Sequence, residues 1–259
     1  MLILLPPSEG KAAGGSEPPV DLAGMSWPEL APHRQRVLSA LVALCKTSPA
    51  KARAVLGLSQ ALDADRAANA IADTSPTMPA GARYSGVLHD ALGYPTLKIA
   101  ARRRADASLV VFSGLWGATR PTDLLPAYRI GIATKLPKIA ALPAYWRTPL
   151  LDALDADVGE QGALDLRSSG YSLMYRPSKA AADRLVTVNV TGADGKRAAP
   201  SYQSKVAKGR LVRALLEQGE PTAAAVPAAA EATGLEPIET ANGFILKAPT
   251  GWGLVATRR

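Results

Sequence analysis

The chain has 259 residues, of which 47% are hydrophobic and 20% are charged, a balance that is typical of a globular protein and excludes a wholly disordered one. Thirty Lys and Arg residues against 22 Asp and Glu residues give a net charge of +8, which favours an anionic partner. The N-terminal run MLILLPP lacks the basic start of a signal peptide, and no run of about 18 apolar residues predicts a membrane span, so we expect a cytoplasmic protein with no membrane partner.

The first half of the chain predicts one buried strand followed by helices. Residues 2–5 predict a short strand. Residues 28–46 predict a helix, because apolar side chains recur there at a period of 3.6 residues, after Ser26 as a cap and a proline in the first turn. Three shorter helices are expected within 49–105, and a strand is expected at 108–112.

The second half alternates helices and strands. A helix is expected at about 139–155 and another near 203–218, and strands are expected at 163–166, 184–190, 236–247 and 252–256. The Ala-rich segment at 220–232 is open to two interpretations, a short helix or a linker. These elements predict a mixed α/β (α+β) fold, in which helices surround a central mixed sheet within a single domain spanning 1–259.

The residue inventory excludes several kinds of chemistry. Only His33 and His89 are present, neither has a second His or Cys at zinc spacing, and Cys45 is expected in the core, so we predict no metal site and no cofactor. The loop PPSEGK at 6–11 follows a strand as a P-loop would, but it lacks the first glycine and the Ser or Thr that binds magnesium. Lys11 on this loop either binds an anion or is an exposed lysine on a turn.

The segment SGLWGATRPTDLLPAYR, residues 113–129, is the strongest indication of a site. Ser113 ends a strand where the backbone can expose N–H groups. Arg120 and Arg129 carry planar guanidinium groups that bind phosphate or carboxylate through two hydrogen bonds, and Asp123 is placed to orient one of them. The alternative is an internal ion pair between Arg120 and Asp123, with the aromatic residues of the segment packed in the core.

Basic residues are unevenly distributed along the chain. They gather in KARAVLG, KIAARRR, TKLPK and SKVAKGRLVR, which occupy 51–57, 98–104, 134–138 and 204–213. This distribution modestly favours a basic face, although helices with solvated positive sides would give the same pattern.

Five stretches, in their order and spacing, resemble the YaaA family of bacterial peroxide-stress proteins. They are MLILLPPSEGK at the start, FSGLWGATRPTDLLPAYRIGIATKL at 112–136, YW at 145–146, DLRSSGY at 165–171 and SKVAKGRLVR at 204–213. The resemblance spans almost the whole chain. It implies a cytosolic protein induced by hydrogen peroxide, which helps to limit unincorporated iron and oxidative DNA damage. The family has a DNA-binding member with an unusual mixed α/β fold, a positively charged cleft and a helix-hairpin-helix element. The resemblance implies the same features for this chain.

The resemblance carries over to particular residues. The positions that match the family's motifs are Ser113, Gly114, Gly117, Arg120, Pro121, Asp123, Tyr128, Arg129, Trp146, Ser168, Tyr171, Lys205, Lys208 and Gly209. The helix-hairpin-helix resemblance falls on 51–71, within a helical subregion at about 49–73, where residues 56–59 would present N–H groups to a phosphate. The general motif has a glycine where this chain has Ser59 and a small residue where it has Asp63, so an ordinary helix-turn-helix packing unit is the alternative.

Two functions from different classes remain open. The first is binding of duplex, branched or damaged DNA without sequence specificity. The second is an enzyme acting on a phosphorylated or nucleotide-like small molecule, in which Lys205 or Tyr171 would act as a base. Both use one set of candidate residues for nucleic-acid or anion binding, Lys11, Lys51, Gly57, Ser59, Ser113, Arg120, Asp123, Tyr128, Arg129, Ser168, Tyr171, Lys205, Lys208 and Arg213. A long open basic groove would favour DNA, whereas a closed pocket of a few hundred Å3 would favour a small ligand.

Overall fold

A seven-stranded mixed sheet forms the centre of the fold in the computed structural model, which describes residues 1–252. The strands are β1 (Leu2–Leu5), β2 (Met78–Pro79), β3 (Leu109–Ser113), β4 (Gly117–Thr119), β5 (Leu124–Leu125), β6 (Ala163–Asp165), β7 (Leu185–Thr191), β8 (Glu236–Thr240) and β9 (Gly243–Lys247). The spatial order of the large sheet is β4-β3-β1-β6-β7-β9-β8. Strands β3, β1, β6, β7 and β9 run parallel, whereas β4 and β8 are antiparallel edges. A separate antiparallel pair joins β2 to β5.

Helices cover the sheet. They are α1 (Ala31–Thr47), α2 (Pro49–Leu56), α3 (Asp63–Ala70), α4 (Ala80–Arg83), α5 (Val87–Leu92), α6 (Ile99–Ser108), α7 (Leu142–Gln161), α8 (Ser169–Ser172), α9 (Lys179–Ala182), α10 (Ser201–Gln218) and α11 (Val226–Ala232). Short 3-10 turns occupy Pro28–Leu30, Gln60–Leu62, Tyr94–Thr96 and Ala223–Ala225. The predicted α/β class, with a central mixed sheet and surrounding helices, is therefore confirmed.

The central strands have apolar sequences throughout because they are buried on both faces of the sheet. All four residues of β1 and all five residues of β3 are buried, because both faces of a parallel sheet are covered by other elements. In contrast, β8 is mostly exposed and contains Pro237, which an edge strand tolerates because one side of its backbone pairs with no other strand.

Several element boundaries differ from the sequence predictions. The predicted cap at Ser26 is wrong, because its hydroxyl donates to Asp123 (2.9 Å) and the first turn is a 3-10 turn that precedes α1. Helix α7 begins later and ends later than the predicted 139–155. The Ala-rich segment at 220–232 is a 3-10 turn that leads into α11, not a linker. Most of the strand predicted at 252–256 lies outside the described residues.

The predicted helical subregion contains α2 and α3, which both pack against α1. Gly57 has a φ of 64° and ends α2, and the N–H groups of Gly57 and Leu58 donate to the carbonyl oxygens of Ala54 (3.4 Å) and Arg53 (2.9 Å). These N–H groups close the helix end, as is usual for a glycine in the left-handed region, so they do not point outward toward a phosphate. The side chain of Asp63 accepts hydrogen bonds from Arg66 and Arg53, which lower the pKa of this carboxyl. A DNA-binding role for this unit stays a prediction.

Within residues 1–252, the structure contains no helix that is both long and apolar enough to cross a membrane.

Candidate functional site

A cavity of about 620 Å3 lies at the carboxyl end of the parallel strands. It is lined by Pro6–Gly10, which follow β1, by Leu166 and Ser168, which follow β6, by Ala199, which lies between β7 and α10, and by Ser201, the first residue of α10. The direction of winding reverses at β1, because this strand pairs with β3 on one side and with β6 on the other. Open α/β sheets bind ligands at such a switch point, since the loops that follow the two neighbouring strands diverge there and leave a crevice.

Cationic and hydroxyl groups dominate the polar lining of this cavity. Lys205 and Lys208 enter from α10, and Tyr171 enters from α8. Glu9 is the one carboxylate among the lining residues that the structure describes. The first turn of the 18-residue helix α10 also faces the cavity through Ser201, and a helix N-terminus carries partial positive charge. The cavity is therefore suited to an anion.

Lys11 lies directly after the loop that lines the cavity, and its amine is turned back onto that loop. Its Nζ donates to the carbonyl oxygens of Ser8 (2.7 Å) and Glu9 (3.2 Å) and lies 4.2 Å from the centroid of the Tyr128 ring. Burial, reinforced by the guanidinium of Arg129, lowers the pKa of Lys11 to about 7. A lysine with this pKa exists in both protonation states near neutral pH.

A chain of hydroxyl groups lies beneath Lys11. The hydroxyl of Tyr128 is 3.1 Å from that of Tyr84 and 2.9 Å from that of Ser113. The Ser113 oxygen also accepts hydrogen bonds from the N–H groups of Leu115 and Trp116, both at 3.2 Å, so its own proton is directed to Tyr128. Burial raises the pKa of Tyr84 and of Tyr128. Ser113 therefore supports the wall of the site and closes the turn after β3.

His89 is a neighbour of this chain that the sequence analysis set aside for want of a second metal ligand. It lies on α5, stacks on Tyr84 with 5.2 Å between ring centroids, and donates from Nε2 to the carbonyl oxygen of Pro6 (3.1 Å). Burial lowers the pKa of His89 to about 4, so the imidazole is neutral at pH 7. Its partner is a backbone carbonyl 83 positions away, which leaves no signal in the sequence.

Asp123 fixes the backbone of the 113–129 segment instead of orienting an arginine. One carboxylate oxygen accepts a hydrogen bond from the N–H of Arg120 (2.8 Å), and the other accepts bonds from the N–H (2.8 Å) and the hydroxyl (2.9 Å) of Ser26. The Arg120 guanidinium donates to the carbonyl oxygen of Ala107 (2.6 Å) and lies 4.8 Å from the centroid of the Trp27 ring. The structure contains neither the expected oriented guanidinium nor the alternative ion pair between these side chains.

Arg129 is held by carboxylates of the protein itself. Its guanidinium is 3.1 Å from Glu9 and 3.5 Å from Asp65, and its backbone N–H and C=O both bond to the side chain of Asn69, at 2.8 Å each. This guanidinium is therefore already occupied by internal carboxylates, whereas the sequence suggested that it would bind an incoming phosphate or carboxylate. It joins the helical subregion to the loop that lines the cavity.

Comparison with known proteins places the chain in a family. The sequence profile described as "Peroxide stress protein YaaA" matches residues 1–236. The chain belongs to this family. Proteins named UPF0246 are similar to it. One from Streptomyces coelicolor is 47% identical over an alignment that covers 85% of this chain and 84% of that protein. One from Corynebacterium efficiens is 42% identical, with 83% of this chain and 84% of that protein aligned. One from Corynebacterium glutamicum is 40% identical, with 93% of this chain and 96% of that protein aligned.

The YaaA motifs converge only in part on the cavity. Ser168, Tyr171, Lys205 and Lys208 line it, and Lys208 also donates to the carbonyl oxygen of Leu166 (2.9 Å). The motif residues Ser113, Asp123 and Tyr128 are buried and are not among its lining residues.

Four predicted residues of this YaaA-family chain lie away from the cavity. Arg213 bonds to the carbonyl oxygens of Leu92 (3.1 Å) and Gly93 (3.3 Å) and forms an ion pair with Glu217 (2.8 Å), so its guanidinium stabilises the start of the turn after α5. Gly57 and Ser59 belong to the turn between α2 and α3. Lys51 lines a second cavity of about 440 Å3, together with Arg36 and Lys138.

Two fully buried arginines were missed by the sequence analysis. Arg34 donates to the carbonyl oxygens of Ser26, Trp27, Trp116 and Ala118, at 2.7 to 3.2 Å. Arg83 donates to three further carbonyl oxygens, those of Ala12, Gly14 and Leu125. Arginine is usually exposed, so nothing in the sequence indicates that these two side chains would be buried and would connect separate backbone segments by hydrogen bonds.

Among the 252 described residues, no group of three or more His, Cys, Asp or Glu side chains is arranged to hold a metal ion.

Proposed function

We propose that this YaaA-family protein is an enzyme that acts on a small phosphorylated or nucleotide-like molecule in the cavity beside β1. One observation carries the proposal. A single space of about 620 Å3 gathers side chains from the loop after β1, from α8 and from α10, although these segments are far apart in the chain. This volume lies within the range of about 300–1,000 Å3 that is typical of small-molecule sites.

The charge of the lining supports an anionic ligand. The lining contains two lysines, Lys205 and Lys208, and a single carboxylate, Glu9, which is already paired with Arg129. The start of α10 adds the partial positive charge of a helix N-terminus on the same side as Lys205. A phosphate group would be bound there by charge and by the hydroxyl groups of Ser168 and Ser201.

The pKa shifts favour particular chemical roles. Burial raises the pKa of Tyr171, so this phenol is protonated at neutral pH and acts as a hydrogen-bond donor or an acid, not as the base that the sequence suggested. Burial lowers the pKa of Lys208, although the carboxylate of Asp165 opposes this shift. Lys208 is held in place by the carbonyl oxygen of Leu166, which suits it to positioning an anion.

DNA binding without sequence specificity is the second candidate, and it rests on a different surface. The cavity of about 440 Å3 is lined by Arg36, Lys51 and Lys138 and by no acidic residue. Lys51 also belongs to α2 of the helical subregion. Such a basic groove would contact phosphates of a DNA backbone, which gives sequence-independent affinity. Protection of DNA from iron-linked oxidative damage is the role that the family resemblance implies for the protein, and under this second candidate it would depend on this surface.

One pair of matched variants tests both candidates. We expect Lys205→Glu to weaken binding of ribose 5-phosphate or AMP by about tenfold or more, because it reverses a charge that faces the ligand, and to leave affinity for duplex DNA unchanged. Lys51→Glu should do the reverse and lower the slope of log affinity for DNA against log salt concentration by about one unit. Isothermal titration calorimetry and fluorescence anisotropy at two salt concentrations measure these quantities.

The outcomes separate the candidates. If the wild type binds neither phosphorylated probe at millimolar concentration, the enzyme proposal fails. If Lys205→Glu lowers DNA affinity as much as Lys51→Glu does, the two cavities belong to one extended DNA-binding face.

A further inference from the structure

We propose that His89 determines the specificity of the cavity, because its Nδ1 accepts a hydrogen bond from a hydroxyl group of the bound phosphorylated molecule. This inference rests on the proposed function and narrows the ligand class of the same site. The ligand would carry free hydroxyl groups as well as a phosphate, as sugar phosphates and ribonucleotides do.

His89 is a fixed part of the cavity wall. It lines the cavity together with Pro6 and Leu88, and only 8% of its surface is exposed. Its Nε2 lies 3.1 Å from the carbonyl oxygen of Pro6, and its ring stacks on Tyr84 with 5.2 Å between the centroids and 27° between the planes. A ring that is held by both contacts presents its second nitrogen in one direction.

The bond to Pro6 determines which ring nitrogen carries the proton. A carbonyl oxygen can only accept a hydrogen bond, so Nε2 is protonated, and in the neutral ring Nδ1 keeps a lone pair. Burial is the largest influence on the pKa of His89 and the charge of Lys11 acts in the same direction, and together they outweigh the bond to Pro6 and the carboxylate of Asp90. The ring is therefore neutral at pH 7, and its second nitrogen is an acceptor.

This acceptor has no partner within the protein, as far as residues 1–252 are concerned. The buried side-chain atoms of these residues that lack a hydrogen-bond partner belong to Asp73, Ser75, Arg102, Trp116 and Thr191. Nδ1 of His89 is not among them, so it is not sealed inside the protein. The space that it can reach is the cavity that His89 lines, and a donor group in this cavity would satisfy it.

The lining around His89 favours a neutral donor. Pro6 and Leu88, which adjoin it, are apolar, and Lys205 and Lys208 oppose a cationic group in the same cavity. Hydroxyl groups are the neutral donors that sugar phosphates and nucleotides share. A site in which a buried acceptor bonds to a ligand hydroxyl discriminates against an analogue without that hydroxyl, because the acceptor is then left unpaired.

A matched pair of variants tests this role. His89→Asn keeps an acceptor oxygen near the position of Nδ1, and His89→Leu has nearly the same shape as the asparagine variant but no acceptor. Both variants lose the bond to Pro6, so this loss cancels when they are compared. Isothermal titration calorimetry compares ribose 5-phosphate and AMP with analogues that each lack one hydroxyl group, namely 2-deoxyribose 5-phosphate, 2′-deoxy-AMP and 3′-deoxy-AMP.

We expect the wild type to bind a hydroxyl-bearing probe at least about tenfold more tightly than one of its deoxy analogues. His89→Asn should retain this preference, whereas His89→Leu should reduce it to less than about threefold. The affinity of His89→Leu for the deoxy analogue should equal that of the wild type, because the phosphate is bound elsewhere, near Lys205.

The outcomes distinguish this role from the proposed function. If the wild type binds no phosphorylated probe at millimolar concentration, the proposed function fails and the role of His89 fails with it. If the probes bind but no deoxy analogue binds more weakly, or if His89→Leu keeps the full preference, the proposed function stands and the role of His89 is refuted. Purine riboside 5′-phosphate lacks the amino group of AMP, and a preference for this amino group that is lost in His89→Leu would overturn the assignment of a hydroxyl.

The wild type alone gives a measurement that does not depend on how a variant folds. The chain has two histidines, so NMR of protein labelled with ¹⁵N-histidine resolves both rings. At pH 7 we expect Nε2 of His89 to be protonated and Nδ1 to be unprotonated. The Nδ1 signal should move to lower frequency with the tighter-binding of ribose 5-phosphate and AMP, but not with inorganic phosphate, while His33 stays unchanged. A protonated Nδ1, or an Nδ1 signal that the ligand leaves in place, would also overturn the inference.

Discussion

The side chains of Arg34, Lys11 and His89 are fixed by backbone carbonyl groups more than by opposite charges. Arg34 is completely buried, and burial lowers its pKa to about 10, so it stays protonated at neutral pH while four carbonyl oxygens accept its N–H groups. Lys11 and His89 likewise donate to the carbonyl oxygens of the segment from Pro6 to Glu9. Two side chains, Lys11 from directly after the loop and His89 from α5, therefore help to set the shape of this loop.

His89 should make the protein sensitive to acid. Its folded pKa of about 4 lies below the ordinary value of 6.5, so the unfolded chain binds more protons between these pH values and stability is lost as the pH falls through this window. We expect His89→Gln, whose amide can still donate to Pro6, to reduce the loss of unfolding free energy between pH 7 and pH 4.5 by about 1–3 kcal/mol. Urea denaturation at the two pH values measures it.

The other histidine provides the control for this experiment. His33 is only partly buried and contacts Tyr145 edge to face, so His33→Gln is expected to leave the wild-type pH dependence in place. Equal acid sensitivity in the wild type and in His89→Gln would show that His89 does not carry this effect.

At the scale of elements, the contact between α5 and α10 positions the two sides of the cavity. Helix α5 supplies His89, and α10 supplies Lys205 and Lys208. The two helices approach closely at Gly209, where an added Cβ would lie 2.2 Å from the carbonyl oxygen of Leu88. The glycine is required there by packing and not by an unusual backbone angle.

Gly209→Ala should force α5 and α10 apart. We expect a loss of about 1–3 kcal/mol in the free energy of unfolding, even though alanine favours helices, because the new methyl group meets backbone atoms that cannot move aside. The matched control is Gly159→Ala in α7, where nothing lies within 4 Å of the added Cβ and a gain of up to about 1 kcal/mol is expected. Chemical denaturation measures both, and a stable Gly209→Ala protein would mean that the two helices can separate without cost.

At the scale of the whole molecule, we propose that the chain is a single domain. One continuous cluster of buried apolar residues includes Leu2 of β1, Val37 of α1, Trp146 of α7 and Leu246 of β9. The helical subregion at about 49–73 contributes Ala52 and Ala72 to the same cluster. Elements that share one core lose their packing together when any part of it opens.

A single domain should unfold in one transition. We expect circular dichroism, which follows the helices, and tryptophan fluorescence, which follows the buried Trp116 and Trp146, to give the same midpoint in urea. Two separated midpoints, or proteolytic release of a stable fragment that ends near residue 49 or 73, would show that the helical subregion is an independent unit.

The sequence by itself determined the fold class, the central strands and the family. Fully apolar runs such as 2–5 and 109–113 predict strands buried on both faces, and local patterns of this kind need no knowledge of the rest of the chain. The motif at 113–129 contributed to the family assignment, and the structure places the motif residues Ser168, Tyr171, Lys205 and Lys208 around one cavity.

Only the tertiary structure decided what these residues do there. Asp123 bonds to Ser26, 97 positions away, and Arg129 pairs with Glu9, 120 positions away, so both lost the anion-binding arrangement that their spacing suggested. The pKa values of Lys11 and His89 depend on burial and on carbonyl groups brought near by folding. Hydrophobic periodicity is a local property of the chain, whereas desolvation and through-space contacts depend on which distant segments meet, and that is fixed only when the sheet and its helices assemble.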